Sequence, residues 1–375
     1  MSEPVRILHL HSTFMLGGKE ARAVQLMNHF GGRARHTILS AVPDALAARE
    51  AIDPGIAVNF PEEAPPLAGK PGLARYRDIR AYMRRFDLVL SYNWGSMDGV
   101  MAHRLGGAGL PPIVHHEDGF NADESEKLDW KRNAFRRLAF PTLSKLVVPS
   151  NRLRTIARDV WKQPDSRVEQ IANGIPVARY SEPPEPGAIP GFVRSDDDVV
   201  IGTVAGLREV KDIPRLVRAV AMLPDRARLV VVGEGPEREA IETEAQRCGI
   251  ADRVLLAGFL DRPWRYVGHF DIFALSSKSE QFPISVVEAM AAGLPVAAPD
   301  VGDVRSMISG PNRRFIGGSL AESLTALVAD RQLRADLGAA NRSRASADFD
   351  EAAMFARYRQ VYGDILGDPG VLCPE

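Results

Sequence analysis

Two glutamates with seven residues between them, Glu280 and Glu288, stand in the stretch Ser279-Glu280-Gln281-Phe282-Pro283-Ile284-Ser285-Val286-Val287-Glu288. An apolar strand, Asp271–Leu275, ends just before the first glutamate. The second falls about a turn and a half inside the helix that the pattern predicts next. Pro283 suits the first helical position, where a missing N–H costs nothing. No Ser, Thr, Asp or Asn directly precedes Pro283 to cap that helix. Backbone N–H groups are then open at the positive end of a helix dipole, which favours a phosphate or diphosphate. Carboxylates do not bind phosphate, but they accept hydrogen bonds from hydroxyls. The pattern therefore reads as a sugar, a diphosphate and a ribose laid across one helix start, with Phe282, Pro283, Ile284, Ser285 and Glu288 in the binding site.

The elements that must hold such a site are those of an α/β protein. Short apolar runs alternate with helical patterns along all 375 residues, a length that suits two domains. Strands are predicted at Arg6–His11, His36–Ala41, Leu88–Ser91, Ile113–His116, Lys145–Pro149 and Val168–Ile171 in the first half. The Pro- and Gly-rich text of residues 181–197 reads as a linker. Beyond it come Val199–Val204, Arg228–Val232, Val254–Ala257, Ile272–Leu275 and Val296–Ala298. The expected organisation is one Rossmann-like doubly wound domain over 1–180, a linker over 181–197 and a second such domain over 198–348. Ligands bind outside the carboxyl ends of the strands in such sheets, so the two domains would face a cleft. An amphipathic helix closes the chain over 350–366 and buries one face.

Bulk properties narrow the function. A net charge of −1 argues against a strongly basic nucleic-acid binder. Cys248 and Cys373 form neither a metal spacing nor a disulfide framework, which fits a reducing cytoplasm. No signal-peptide pattern and no long uninterrupted apolar run is present, so the expected location is cytoplasmic, at most peripheral at a membrane surface.

The full context Glu280-Gln281-Phe282-Pro283…Glu288-Ala289-Met290-Ala291…Gly293-Leu294-Pro295-Val296, followed by Asp300-Val301-Gly302-Asp303, resembles the Glu-x7-Glu motif of family 4 glycosyltransferases. The resemblance implies the GT-B architecture, with the last helix crossing back to complete the first domain. It implies that Glu280 contacts the donor sugar's hydroxyls and that Glu288 holds the ribose. The loop Ala205-Gly206-Leu207-Arg208-Glu209-Val210-Lys211 resembles the family's Gly-Arg-Leu…Glu-Lys-Gly segment, whose cations clamp the diphosphate. Lys211 matches the lysine. The arginine position is Gly206, and Arg208, two places on, is expected to reach the same phosphate. Gly258 and Phe259 are implied beside the nucleobase. Gly233-Glu234-Gly235-Pro236 lacks the third glycine of a dinucleotide turn and reads equally as a plain loop.

In the first half, Ser12-Thr13-Phe14-Met15-Leu16-Gly17-Gly18-Lys19-Glu20 follows a strand and resembles the family's Gly-Gly-x-Glu loop, which faces donor diphosphate and acceptor. It lacks the Gly-Lys-Ser/Thr ending of a P-loop. Ile113-Val114-His115-His116-Glu117-Asp118-Gly119 matches the segment in which the family places a sugar-contacting histidine. His116 is expected in that role, with Asp118 and His115 toward the acceptor. Asn173-Gly174-Ile175 matches a further family turn and reads as structural.

The family retains anomeric configuration, generally without a placed enzymatic nucleophile, so Glu280 would orient substrate rather than attack it. No Asp-x-Asp metal motif was found in a suitable loop, so Lys211 and Arg208 would stabilise the leaving group, with no metal cofactor expected. The implied function is a retaining hexosyltransferase using a UDP- or GDP-linked sugar, in bacterial surface or exopolysaccharide synthesis, on a glycan or lipid-linked acceptor. A nucleotide-sugar-binding protein without turnover and a nucleotide-sugar epimerase are the alternatives. The first domain is net basic and the remainder net acidic. Arg75, Arg77, Arg80, Arg84 and Arg85 with Tyr76 and Tyr82, and Lys131, Arg132, Arg136 and Arg137 with Trp130 and Phe135, could give a shallow membrane contact or solvated helix faces.

Overall fold

The computed structural model describes residues 3–15, 17–70, 72–120 and 128–374. Long apolar runs such as Leu88-Val89-Leu90-Ser91-Tyr92 are buried at every residue, the mark of parallel strands covered on both faces. Two such sheets form, one in each of two compact units. The first unit runs to Asn173 and takes in the chain again from Met354; the second is Gly174–Ala353.

In the first unit, β1 (Val5–His11), β2 (Ala34–Ser40), β3 (Val58–Asn59), β4 (Leu88–Tyr92), β5 (Ile113–His116), β6 (Lys145–Val148) and β7 (Val168–Gln170) lie in the order β3-β2-β1-β4-β5-β6-β7. All pairs are parallel. One face packs Val24, Met27 and Phe30 with Met354, Tyr358, Val361 and Tyr362 of the helix Glu351–Leu366. The closing helix thus completes the first unit, as the family resemblance implies. β3 escapes a periodicity reading because it has only two residues.

The second unit holds β8 (Val199–Val204), β9 (Ala227–Val232), β10 (Val254–Gly258), β11 (Ile272–Ala274) and β12 (Val296–Ala297), all parallel in the order β10-β9-β8-β11-β12. Residues 181–197 are bound to this unit rather than spanning free. Glu185 N–H donates to Arg265 O at 2.7 Å, the Arg265 guanidinium returns to Glu185, and Ile189 is buried. The unit boundary accordingly falls at Asn173 instead of 180, and Tyr180 belongs to the second unit. Proline density there marks a chain pinned to the unit through a series of turns, a role that composition does not separate from a free linker.

Strand order reverses beside β1 and β4 in one sheet and beside β8 and β11 in the other. Loops leaving the carboxyl ends of those strands diverge to opposite faces, which opens a crevice at each reversal.

Candidate functional site

The loops after β8 and β11 are tied together at the second unit's reversal. Ser276 Oγ donates to Lys211 O at 2.9 Å, and Lys278 N–H donates to Val210 O at 2.8 Å. This fixes the backbone beneath Lys211, whose Nζ donates to Glu280 Oε1 at 2.5 Å. The same oxygen accepts from Ser277 Oγ at 2.7 Å. Both side chains keep some solvent access, 16% for Lys211 and 10% for Glu280, so the pair is not sealed from solvent. Gly302, at φ +57°, lets the next loop close on Glu280: a Cβ there would meet Glu280 O at 2.5 Å. Asp303 N–H adds a bond to Gln281 O at 3.0 Å.

The helix Ile284–Ala291 starts on this platform without a side-chain cap. Pro283 occupies the cap, with ψ 106°, rather than the first helical position expected for it. The correction leaves the N–H groups of Ile284 and Ser285 both in the first turn, available to an anion. Phe282 packs edge-on against Phe349, at 5.7 Å between ring centroids. Glu288 lies one turn further in. Tyr180 Oη donates to its Oε1 at 3.1 Å. Burial pushes the Glu288 carboxyl up to about 7, and the Tyr180 hydrogen bond pulls in the other direction.

Arg208 makes no side-chain hydrogen bond or ion pair among the described residues, and it is exposed. Its Nε would stand 3.7 Å from a Cβ on Gly206, so the guanidinium stem lies over the glycine. The Gly233-Glu234-Gly235 turn is spent on packing: at φ +142° and +157°, any Cβ would strike Ala205 O or Leu207 O. Leu207 N–H donates to Glu234 O at 2.9 Å. That turn braces the Gly206–Arg208 loop. Gly258, at φ +80°, accepts from Gly233 N–H at 2.8 Å, and Phe259 beyond it is 67% exposed.

The first unit behaves differently. Gly17 caps the helix Gly18–Phe30 without a side-chain bond, and both Gly17 and Gly18 are exposed, so this helix start is also open. Its neighbours Lys19 and Glu20 pair with each other. His115 and His116, however, are turned into the interior. His116 Nε2 bonds Tyr362 Oη at 2.8 Å and Nδ1 bonds Ser91 O at 3.2 Å, while His115 Nδ1 bonds Ser91 Oγ at 2.9 Å. Burial, then Arg22, holds the His116 ring well below its usual range and hence neutral. Both faces of a central parallel strand are covered, so neither ring opens to a ligand. The sugar-contacting role expected of His116 does not fit this placement.

Asp118 is likewise engaged. Arg22 Nη2 donates to Asp118 Oδ2 at 2.8 Å, Nη1 pairs with Asp118 Oδ1, and Nη1 also donates to Asn173 Oδ1 at 2.9 Å. Asp118 N–H is held by Asn93 Oδ1 at 2.7 Å. Burial weighs against the charge on Arg22, but Asp118 outweighs it and the guanidinium stays protonated. Asp118 is thus a strut among three loops rather than a free acceptor contact, and Asn173 is structural as its turn suggested. Arg22 was not singled out from sequence. Its signal was an arginine in register with Leu26 and Phe30, on the buried stripe of its helix.

The two basic stretches also part ways. Arg75 and Tyr76 bond Asp98, and Arg80 bonds Leu105 O, so these groups of the helix Leu73–Met83 are spent on packing, while Arg77, Arg84 and Arg85 stay exposed. Arg136 is buried beside Glu117 at 3.1 Å and lies over Trp94, Phe120 and Trp161. Trp130 and Leu138 stay 73% and 60% exposed. No helix among the described residues is long and apolar enough to cross a membrane. No cluster of three or more His, Cys, Asp or Glu residues able to hold a metal occurs among them.

Two family models match the chain in succession. Residues 16–179 match the family model described as Glycosyltransferase Family 4, and residues 189–344 match Glycosyl transferases group 1. The chain is 27% identical over 181 residues to the N-acetyl-alpha-D-glucosaminyl L-malate synthase of Bacillus anthracis, covering 46% of this chain and 48% of that protein. It is 37% identical over 162 residues to a D-inositol 3-phosphate glycosyltransferase of Xylanimonas cellulosilytica, covering 39% and 38%. Alignment thus spans about half or less of these curated relatives. Among solved structures, Anabaena Alr3699/HepE in complex with UDP superposes with a TM-score of 0.77 at 18% identity, over 96% of this chain and 100% of that one. That likeness establishes a shared GT-B fold.

Proposed function

From the premise that the chain belongs to the family 4 glycosyltransferases, we propose that it moves a sugar from a nucleotide diphosphate donor to a glycan or lipid-linked acceptor, with retention of configuration. The observation that carries the proposal is the Lys211–Glu280 pair, set beside the uncapped start of the helix Ile284–Ala291 with Glu288 one turn inside it. The diphosphate lies against the Ile284 and Ser285 N–H groups. Lys211, with Arg208 extended over Gly206, meets the charge that builds on the leaving diphosphate. Glu280 takes the sugar's hydroxyls and Glu288 those of the ribose. The UDP bound by the Anabaena structure supports a uridine nucleotide. In this reading protein cations, with no metal cofactor, serve the leaving group, and the acceptor meets the open helix start at Gly17 and Gly18.

The test is thermal stability with UDP, GDP, ADP and dTDP and their sugars, beside Glu288→Ala. A ligand at about 100 times its dissociation constant adds roughly 2.7 kcal/mol, a shift of a few degrees. One base should stabilise the wild type and not the variant; no shift with any nucleotide overturns the donor site. Release of nucleotide in acceptor extracts then separates a transferase from a binding protein without turnover. The lipopolysaccharide core and O-antigen biosynthesis named for two relatives support a surface-glycan acceptor, and this reading puts the reaction on the cytoplasmic face. Trp130, Lys131 and Leu138 are the peripheral membrane contact in this reading. Trp130→Ala should weaken sedimentation with anionic vesicles, and unchanged sedimentation removes that contact.

A further inference from the structure

Glu288 shares its interior position with a side chain that lies 108 residues away in the chain. Tyr180 is only 4% exposed, at the end of the short helical turn Val177–Ser181, which packs on the helix Ile284–Ala291. Its phenol donates to Glu288 Oε1 at 3.1 Å, and no hydrogen bond to Oε2 is found among the described residues. One carboxylate oxygen is therefore taken by the protein and the other is left to accept from outside. Burial, then Glu288, holds the Tyr180 phenol above its usual range, so it is protonated and a donor at neutral pH.

We propose that Tyr180 is a positioning residue for donor binding: it fixes the Glu288 carboxylate through Oε1 and presents Oε2 to the hydroxyls of the ligand. The proposal rests on the donor reading above. It adds a residue and a pH dependence that the two-glutamate motif does not contain.

The chemistry follows from which protonation state can do the work. A carboxylate accepts hydrogen bonds at both oxygens, whereas a protonated acid becomes a donor at one of them. Desolvation favours the neutral acid, and the phenol donor favours the carboxylate. With the carboxyl pushed up to about 7 the two are nearly balanced, so loss of the donor matters near neutral pH. Other titratable groups face this region. Tyr266, buried and itself raised first by burial and then by Glu288, lies beside it. Glu351 also raises the Tyr180 phenol, and Arg179 acts in turn on Glu351. Arg342 is committed to the carbonyls of Ala291 and Ala292 at the far end of the same helix. Lys211 is paired with Glu280. Tyr180 is the group whose hydrogen bond favours ionisation of Glu288.

The experiment compares wild type, Tyr180→Phe and Glu288→Gln, because Phe keeps the buried ring and deletes only the hydroxyl. Carboxyl 13C shifts of ligand-free, glutamate-labelled protein are titrated, with the Glu288 signal assigned by its absence in Glu288→Gln. UDP affinity is measured by calorimetry from pH 6 to pH 9 on the same three proteins. The Glu288 midpoint should rise by about one unit in Tyr180→Phe. UDP affinity should then fall about fivefold at pH 7 and recover toward pH 9. An unchanged midpoint overturns the proposal, and so does an affinity loss equal at every pH, which is what a merely structural tyrosine would give. A raised midpoint with UDP affinity indifferent to Glu288→Gln would remove the donor reading itself and leave the Tyr180–Glu288 contact standing.

Discussion

The carboxyl edges of the two sheets are built alike and finished differently. Both present loops from a strand-order reversal and a helix start without a side-chain cap. In the second unit the charged groups at that edge are left unfinished: Arg208 has no partner among the described residues, and Lys211 and Glu280 pair in partial contact with solvent. In the first unit the arginines there are sealed, although Asp118 keeps 13% exposure and Lys19 pairs with Glu20 in partial contact with solvent. Arg22 spans Asp118 and Asn173 at 3% exposure, and Arg136 meets Glu117 with both side chains at 1% or less. A buried charge pair repays its desolvation only if its hydrogen bonds are nearly complete, and it then has nothing left to offer a ligand. Charge that serves a substrate must stay partly unpaired. Under the proposed function, the difference separates structural from functional charge within one chain.

The largest effect is expected where the sealed network is broken. Arg22→Ala leaves Asp118 without its counter-charge and Asn173 without its donor. It should cost about 3–5 kcal/mol of stability. Tryptophan fluorescence during urea unfolding reads this, since Trp94, Trp130 and Trp161 all lie in the first unit. A cost under about 1 kcal/mol would place this pair with ordinary surface ion pairs and erase the contrast.

Lys211→Ala attacks the other edge. Its unfolding midpoint should barely move, while kcat drops about 10²–10³-fold, as when a group that stabilises developing negative charge is removed. Turnover within about threefold of wild type would show that the leaving diphosphate does not rely on this lysine.

The smallest effect sharpens the comparison. Arg208→Ala should lower kcat/KM about tenfold, the scale of one exposed charge-assisted contact. Adding Gly206→Arg to that variant should restore most of the loss, since Gly206 is exposed and the Arg208 stem passes over it. Failure of the double variant to recover would mean that the two positions do not reach the same phosphate.

Much of this second-unit site was legible in the chain because its parts are local. Seven residues between glutamates, across one strand–turn–helix junction, place the first at the strand's exit and the second inside the helix. Lys211 comes from the neighbouring loop at a recognisable spacing. The first-unit site was not legible to the same degree. His115 and His116 looked like strand-end groups, yet β5 is central and buried at each residue, and its histidines bond Ser91 and Tyr362, with His115 Nε2 left without a hydrogen bond among the described residues. Tyr362 lies 246 residues away from His116, so nothing near the histidine announces it.

Apolar alternation, loop chemistry and the two-glutamate spacing by themselves determined two parallel α/β domains and a helix start without a side-chain cap, because strand and helix geometry act over a few residues. Tertiary structure alone decided that Asp118 belongs to Arg22, that the chain divides at Asn173, and that Tyr180 holds Glu288. Whether a polar side chain faces water, a ligand or a buried partner depends on which distant element covers it, and that is set when the sheets and helices pack.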